Sequence, residues 1–315
     1  MADRDASKGP HVAVLGAGRV GSVLAVGLHR AGWRVSAVWN RHPERAEHLR
    51  SRIGTGKVFR EAGEAAAAAD AVFLTVADDA VGPLAVSLVG GKGEKAMEGK
   101  VVFHTSGVLT AAVLGPVSRA GARVGALHPL QTFAGVDAGI ELLGGIRWAV
   151  DGDGEALALA GRVVRTLGGR LLEVPGAGRV FYHAAAVVAS NYLVVLAAEA
   201  CRLMAASGVE EEEAMGALLP LMEGTLHNLR GKEPERALTG PVARGDADTV
   251  RRHLEAVEPI MPEAARFYRA LAERCLALSE KNGLESGLVE AVRRVLSDPE
   301  KNPSQLRADQ FRSSR

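Results

Sequence analysis

Apolar residues recur in two different periods along this chain, and the change of period divides it. Up to about residue 175, short apolar runs alternate with helical stretches. The runs at 12–15, 35–39, 70–76, 100–104, 123–127, 147–150 and 170–174 read as strands, nearly continuous as in a parallel sheet buried on both faces. They complete an eight-strand reading of the first domain, of which these seven are placed. Helices are expected at 62–69 and 154–167, and the glycine- and lysine-rich residues 90–95 read as a surface loop. From Gly176 onward no strand pattern recurs. Helical periods cover 179–207, 210–229, 247–257, 262–278 and 287–296. The first of these is apolar on nearly all sides, which predicts burial between domains or subunits.

The run 12–15 leads into three glycines spaced G-x-G-x-x-G, Gly16, Gly18 and Gly21, then an apolar-periodic helix and a second strand. That context turns a weak pattern into a dinucleotide-binding expectation. The first glycine permits the tight turn, the second admits the pyrophosphate, and the third lets helix and strand pack closely. The helix N-terminus offers free N–H groups to phosphates. Gly16, Ala17, Gly18, Arg19, Val20 and Gly21 are therefore the expected cofactor cradle. The second strand ends in Asn40 and Arg41, with Arg45 one turn on, where an NAD site usually has an acid. A guanidinium binds a 2′-phosphate that a carboxylate would repel, so NADP(H) is the expected cofactor. The fold class is α/β: a doubly wound Rossmann domain at 11–175, then an all-helical domain at 176–296. Residues 1–10 and 297–315 are expected to be disordered.

Composition narrows the function classes. Apolar residues make up 47% and charged residues 24%, with a net charge of +1, which suits a soluble globular chain with a sizeable core. No basic block appears, so no nucleic-acid partner is expected. Cys201 and Cys275 fit neither a disulfide framework nor a zinc site, and no metal is expected. Residues 1–10 lack the apolar core of a signal peptide, and 184–198 is interrupted by Ser190, Asn191 and Tyr192. A cytoplasmic protein with no membrane partner follows.

Candidate chemistry lies at strand ends and on the long helix. Val76 and Ala77 follow the 70–76 strand, and their backbone is expected to touch the cofactor, with Asp78 capping the next helix. Ser106 and His128 lie in polar clusters after the next two strands. On the long helix, His183, Val187 and Ser190 share one face with Asn191 on its flank. Such polar groups in an apolar helix must hydrogen-bond something, a ligand or a neighbouring helix. His183 alone suits a core histidine as well as a site; the cluster points to a site. A second candidate is the loop 239–246. Thr239, Gly240 and Pro241 form a stiff turn there, and Arg244 can clamp a carboxylate or pair with Asp246.

Three segments carry a resemblance: HPLQTF at 128–133, YHAAAVVASNYL at 182–193 and ALTGPVARGD at 237–246. With the glycine motif they resemble a bacterial family of Rossmann-like oxidoreductases whose C-terminal helical domain was long catalogued as of unknown function. The likeness runs from His11 to about Gly283. More distantly the chain is similar to pyrroline-5-carboxylate reductases, deazaflavin-dependent NADP reductases and β-hydroxyacid dehydrogenases. The resemblance implies an NADP-dependent enzyme, dimeric through its helical domain, acting on a small molecule; ketopantoate is the leading substrate. One departure stands out. The β-hydroxyacid dehydrogenases and the better-known ketopantoate reductases carry a lysine on the first helix after the nucleotide domain, and this chain has no lysine between Lys100 and Lys232. The expected chemistry is hydride transfer to a 2-oxo acid, with His183 protonating the carbonyl oxygen, Asn191 orienting it and Arg244 holding the carboxylate. Imine reduction of the pyrroline-5-carboxylate reductase type and a non-enzymatic NADP-binding redox sensor are the competing readings.

Overall fold

The computed structural model describes residues 9–90 and 93–297, so most of the two ends expected to be disordered lies outside it. Strands and helices alternate through β1 (His11–Leu15), α1 (Arg19–Arg30), β2 (Arg34–Trp39), α2 (Pro43–Ile53), β3 (Lys57–Val58), α3 (Ala62–Ala67), β4 (Ala71–Leu74) and α4 (Asp78–Leu88). There follow α5 (Gly93–Met97), β5 (Val101–His104), α6 (Gly115–Arg119), β6 (Arg123–Pro129), α7 (Val136–Glu141), β7 (Arg147–Gly152), α8 (Gly154–Thr166) and β8 (Arg170–Glu173). All eight strands form one sheet in the order β3-β2-β1-β4-β5-β6-β7-β8. Among the described residues only the β6–β7 pair is antiparallel. Two apolar clusters cover the two faces of the sheet, one built on Val12, Val14 and Phe73, the other on Ala13, Leu15, Val72 and Leu74. This alternation of fully buried side chains is why β1 and β4 read as unbroken apolar runs. The strand missing from the sequence reading is β3, whose two residues are too few to show a period.

The remaining elements are helices: α9 (Arg179–Ala206), α10 (Glu211–Asn228), α11 (Pro234–Ala237), α12 (Pro241–Arg244), α13 (Ala247–Val257), α14 (Pro262–Lys281) and α15 (Ser286–Leu296). The chain forms two compact units that divide between Leu193 and Val194, inside α9, whereas the sheet already ends at β8. The second unit has its own core, in which Val242, Val250, Leu254, Leu276, Val289 and Val292 are buried.

Four expectations are corrected. Of the loop expected at 90–95, residues 91–92 lie outside the described ones and Gly93 begins α5. Asp78 does not cap α4; Ala77 holds that position, and Asp78 and Asp79 stand in the first turn, where negative charge suits the helix dipole. The loop expected at 239–246 is half helical, with α12 wedged between two positive-φ glycines, Gly240 (φ 101°) and Gly245 (φ 73°). In the single chain α9 leaves Phe181 79% and Val194 69% exposed. Lastly, the polar interruption read at 184–198 does not break the apolar stretch: by length and composition Gly176–Ala206 is apolar enough to cross a membrane, its most apolar 18-residue window having a mean hydropathy of 1.7.

Candidate active site

The glycine turn after β1 is shaped as a cradle. A Cβ on Gly16 would lie 2.5 Å from the Thr75 carbonyl oxygen, and one on Gly21 would lie 2.0 Å from the Gly16 oxygen. A Cβ on Gly18 would meet nothing within 4 Å. Two glycines are thus demanded by the protein's own packing, and the third faces open space at the N-terminus of α1, which has no side-chain cap. These residues fit a bound dinucleotide. Thr75 Oγ1 donates to the Gly16 carbonyl at 2.6 Å and pins the turn to the end of β4. Val76 and Ala77 follow directly, at the junction of β1 and β4 where the strand order reverses.

Asn40 has a task the sequence did not suggest. Its Oδ1 accepts from Ala17 N at 2.9 Å and its Nδ2 donates to the His42 carbonyl at 3.1 Å, so it braces the turn against the end of β2. Arg41 and Arg45 are exposed and have no acidic partner among the described residues, as does Arg19 on the first turn of α1. Positive charge therefore surrounds the place where an NAD site keeps its acid.

A second cluster occupies the carboxyl ends of β5 and β6 and the first turns of α9. His104, fully buried, ends β5; its Nδ1 accepts from Ser106 N at 3.2 Å and its Nε2 faces the Thr110 carbonyl at 3.1 Å. Both nitrogens are engaged, and burial lowers its pKa to about 4. His104 therefore holds the turn in place. Ser106 Oγ accepts from Val108 N and Leu109 N, so the serine hydroxyl also shapes the turn. On β6, His128 Nδ1 and Tyr182 Oη share a 2.8 Å hydrogen bond. Burial, then the nearby His183, lowers the His128 pKa to about 4, and burial pushes the Tyr182 phenol up to about 12. The ring of His183 stands edge-on to His128, with centroids 6.1 Å apart. Both rings point at Gly107: a Cβ there would lie 2.9 Å from His183 Nδ1 and 3.1 Å from His128 Nε2.

Sequence reasoning named Ser106, His128 and His183, and the structure brings them together. It missed His104 and Arg179. Arg179 begins α9 one turn before His183 and is fully buried, with Nη2 donating to the Ser106 carbonyl at 2.7 Å. The spacing of Arg179, Tyr182 and His183 on one helix face was the available signal. Ser190 is half-buried two turns further along α9, and Asn191 is exposed. The other candidates lie in the second unit. Asp246 is committed to capping α13, its Oδ1 accepting from Thr249 N at 3.0 Å and its Oδ2 from Thr249 Oγ1 at 2.8 Å. Arg244 is exposed, and Thr239 lines a largely apolar cavity of about 290 Å³ with Pro241 and Val242.

Comparison with known proteins agrees with this architecture. A Rossmann-like domain model matches residues 5–129, and the model of a domain of unknown function, DUF2520, matches 146–275. No curated protein matches the chain. Among solved structures, a candidate NADP oxidoreductase from Bacteroides fragilis is similar, with 25% identity and a TM-score of 0.68. The match covers 84% of this chain and 97% of that one. An imine reductase from a Pseudomonas species shares the fold at 22% identity and a TM-score of 0.62, covering 91% of this chain and 99% of its own. A Plasmodium falciparum pyrroline carboxylate reductase with NADP bound shares it at 12% identity and a TM-score of 0.56, covering 86% and 99%.

Proposed function

We propose that this protein is an NADPH-dependent oxidoreductase that reduces a C=O or C=N bond in a small molecule. One observation carries the reading: a dinucleotide cradle and a half-buried histidine–tyrosine cluster share the carboxyl edge of one sheet. The likeness to oxidoreductases that use NADP supports it. Gly16 to Gly21 would hold the pyrophosphate, Arg41 and Arg45 the 2′-phosphate, and Val76 and Ala77 would line the path between. When bound, the reduced cofactor supplies a hydride to the substrate carbon.

The chain's own residues supply the proton and the positioning. As the C=X π bond breaks and a C–H bond forms, the heteroatom must take up a proton. His183 Nδ1, buried and unpartnered, packs closely beside Gly107 and is assigned that role, with His128 next to it. The phenol of Tyr182 holds the His128 ring in place. Ser190 and Asn191 extend the substrate side of α9. Thr239, Gly240 and Arg244 keep the substrate-binding role that the sequence suggests for them, to be tested by substitution, and Asp246 fixes the start of α13.

A 2-oxo acid such as ketopantoate is the first substrate to test. Reduction of a cyclic imine is the second reading, and one observation favours it: burial keeps His128 neutral near pH 7, and an imine that arrives protonated needs no strong acid. The test is NADPH oxidation against ketopantoate, other 2-oxo acids and cyclic imines. Turnover with either class supports the assignment; tight NADPH binding with no turnover of any would replace it with the redox-sensor reading. Replacing Asn40→Asp together with Arg41→Ala should shift preference from NADPH towards NADH.

The working form is assigned as a cytoplasmic homodimer. The apolar sides of α9 are exposed, and α10 buries only Ala214 while leaving Met215, Leu219, Leu221 and Leu226 exposed. A second copy covering these helices would remove that surface from water. Sedimentation in detergent-free buffer checks it: a monomer, or a need for detergent, would refute it.

A further inference from the structure

Four buried side-chain nitrogen or oxygen atoms lack a hydrogen-bond partner among the described residues: Trp148 Nε1, Arg179 Nε, Arg179 Nη1 and His183 Nδ1. Three of the four belong to one cluster, on two side chains one turn apart on α9. A buried polar atom left unpaired is costly, and more so when the group is charged. Such a concentration calls for a ligand. Arg179 is the more exacting of the two. Its guanidinium is fully buried, yet its one hydrogen bond is to a neutral carbonyl, that of Ser106. Asp151, the acid whose field reaches it, is engaged elsewhere, accepting from Ala111 N at 3.0 Å. A buried cation with two nitrogens unpartnered and no ion pair among the described residues is the complement of an anion.

We infer that Arg179 anchors an anionic group, a carboxylate, on the substrate, beside the carbon that is reduced. This rests on the reductase reading above and deepens it, since it restricts the substrate to a 2-oxo acid or an imino acid and excludes simple ketones and unsubstituted imines. It also gives the carboxylate a partner other than Arg244. The phosphates of the cofactor are not the anion in question: their cradle is at the end of β1, whereas Ser106 follows β5.

The test compares matched pairs that differ only in the charge: a 2-oxo acid and its methyl ester, and 1-pyrroline-2-carboxylate and 2-methyl-1-pyrroline. The wild type should prefer the carboxylate member at least about 10-fold in kcat/KM, and Arg179→Gln should erase the preference while leaving NADPH affinity unchanged. A binding measurement does not depend on turnover. Oxamate, an inert carboxylate, should raise the Tm of the wild type in the presence of NADP, and not that of Arg179→Gln. The idea is overturned if the wild type does not distinguish acid from ester and gains no stability from oxamate. It is also overturned if Arg179→Gln keeps the preference, or if Arg244→Ala loses it while Arg179→Gln does not. Should Arg179→Gln fail to fold, the wild-type comparisons still decide, and Arg179→Lys should retain part of the preference. No turnover of either pair together with a clear oxamate shift would sink the reductase reading and keep the anion site.

Discussion

The start of α9 and the 239–246 segment were the two candidates in the sequence, the first for His183, Ser190 and Asn191 on an apolar helix, the second for Arg244 beside a stiff turn. In three dimensions they differ in one respect. Around α12 the polar groups are satisfied locally: both oxygens of Asp246 are taken by Thr249, and Arg244 lies in water. At the start of α9 they are buried and incomplete, with Arg179 and His183 holding three unpartnered nitrogens. A satisfied polar group explains itself by the fold it stabilises. An unsatisfied buried one has a cost that a bound partner offsets, so the α9 cluster is where chemistry is expected.

That contrast can be broken most directly at His183. His183→Ala should lower kcat by about 10²–10⁴-fold, the span of general acid catalysis, with little change in Tm. Steady-state rates and calorimetry check it, and near-full turnover would end the assignment. Next come the glycines. Gly21→Ala should destabilise the fold by about 3 kcal/mol in urea titrations, because its Cβ would collide with the Gly16 carbonyl. Gly18→Ala should leave stability within about 0.5 kcal/mol yet weaken NADPH binding in a fluorescence titration.

A further effect depends on pH. His104 has its folded pKa depressed from 6.5 to about 4, so unfolding lets it take up a proton once the pH is below 6.5. Its contribution is therefore complete above pH 6.5 and is lost as pH falls to about 4, a loss on the order of 3 kcal/mol. Urea denaturation at pH 7 and at pH 4.5 should show this fall, and His104→Gln should flatten it. The smallest effect is expected on the satisfied side of the comparison. Asp246→Ala removes a helix cap and should lower Tm by a few degrees, with kcat within about twofold of wild type. A large loss of kcat at constant Tm would put chemistry in the second unit.

Much of this molecule was legible before its structure. Seven strands, the glycine turn and the ranges of α8, α13 and α15 follow from period and punctuation, because a parallel sheet demands buried runs and a tight phosphate turn demands glycine. His128 and His183 were visible as polar breaks in apolar surroundings. Arg179 was not, because an arginine at a helix start ordinarily reads as a solvated charge. Asn40 was read for its missing acid and found bracing Ala17.

The G-x-G-x-x-G stretch and the two alternating apolar periods determined the fold class and the expected cofactor by themselves, since both act through residues adjacent in sequence. Tertiary structure alone decided which polar residues remain incomplete. Whether Arg179 meets water or the Ser106 carbonyl, and whether His183 finds a partner, depends on segments more than fifty residues apart. Local pattern carries no record of that pairing, and burial without a partner is a property of the folded chain.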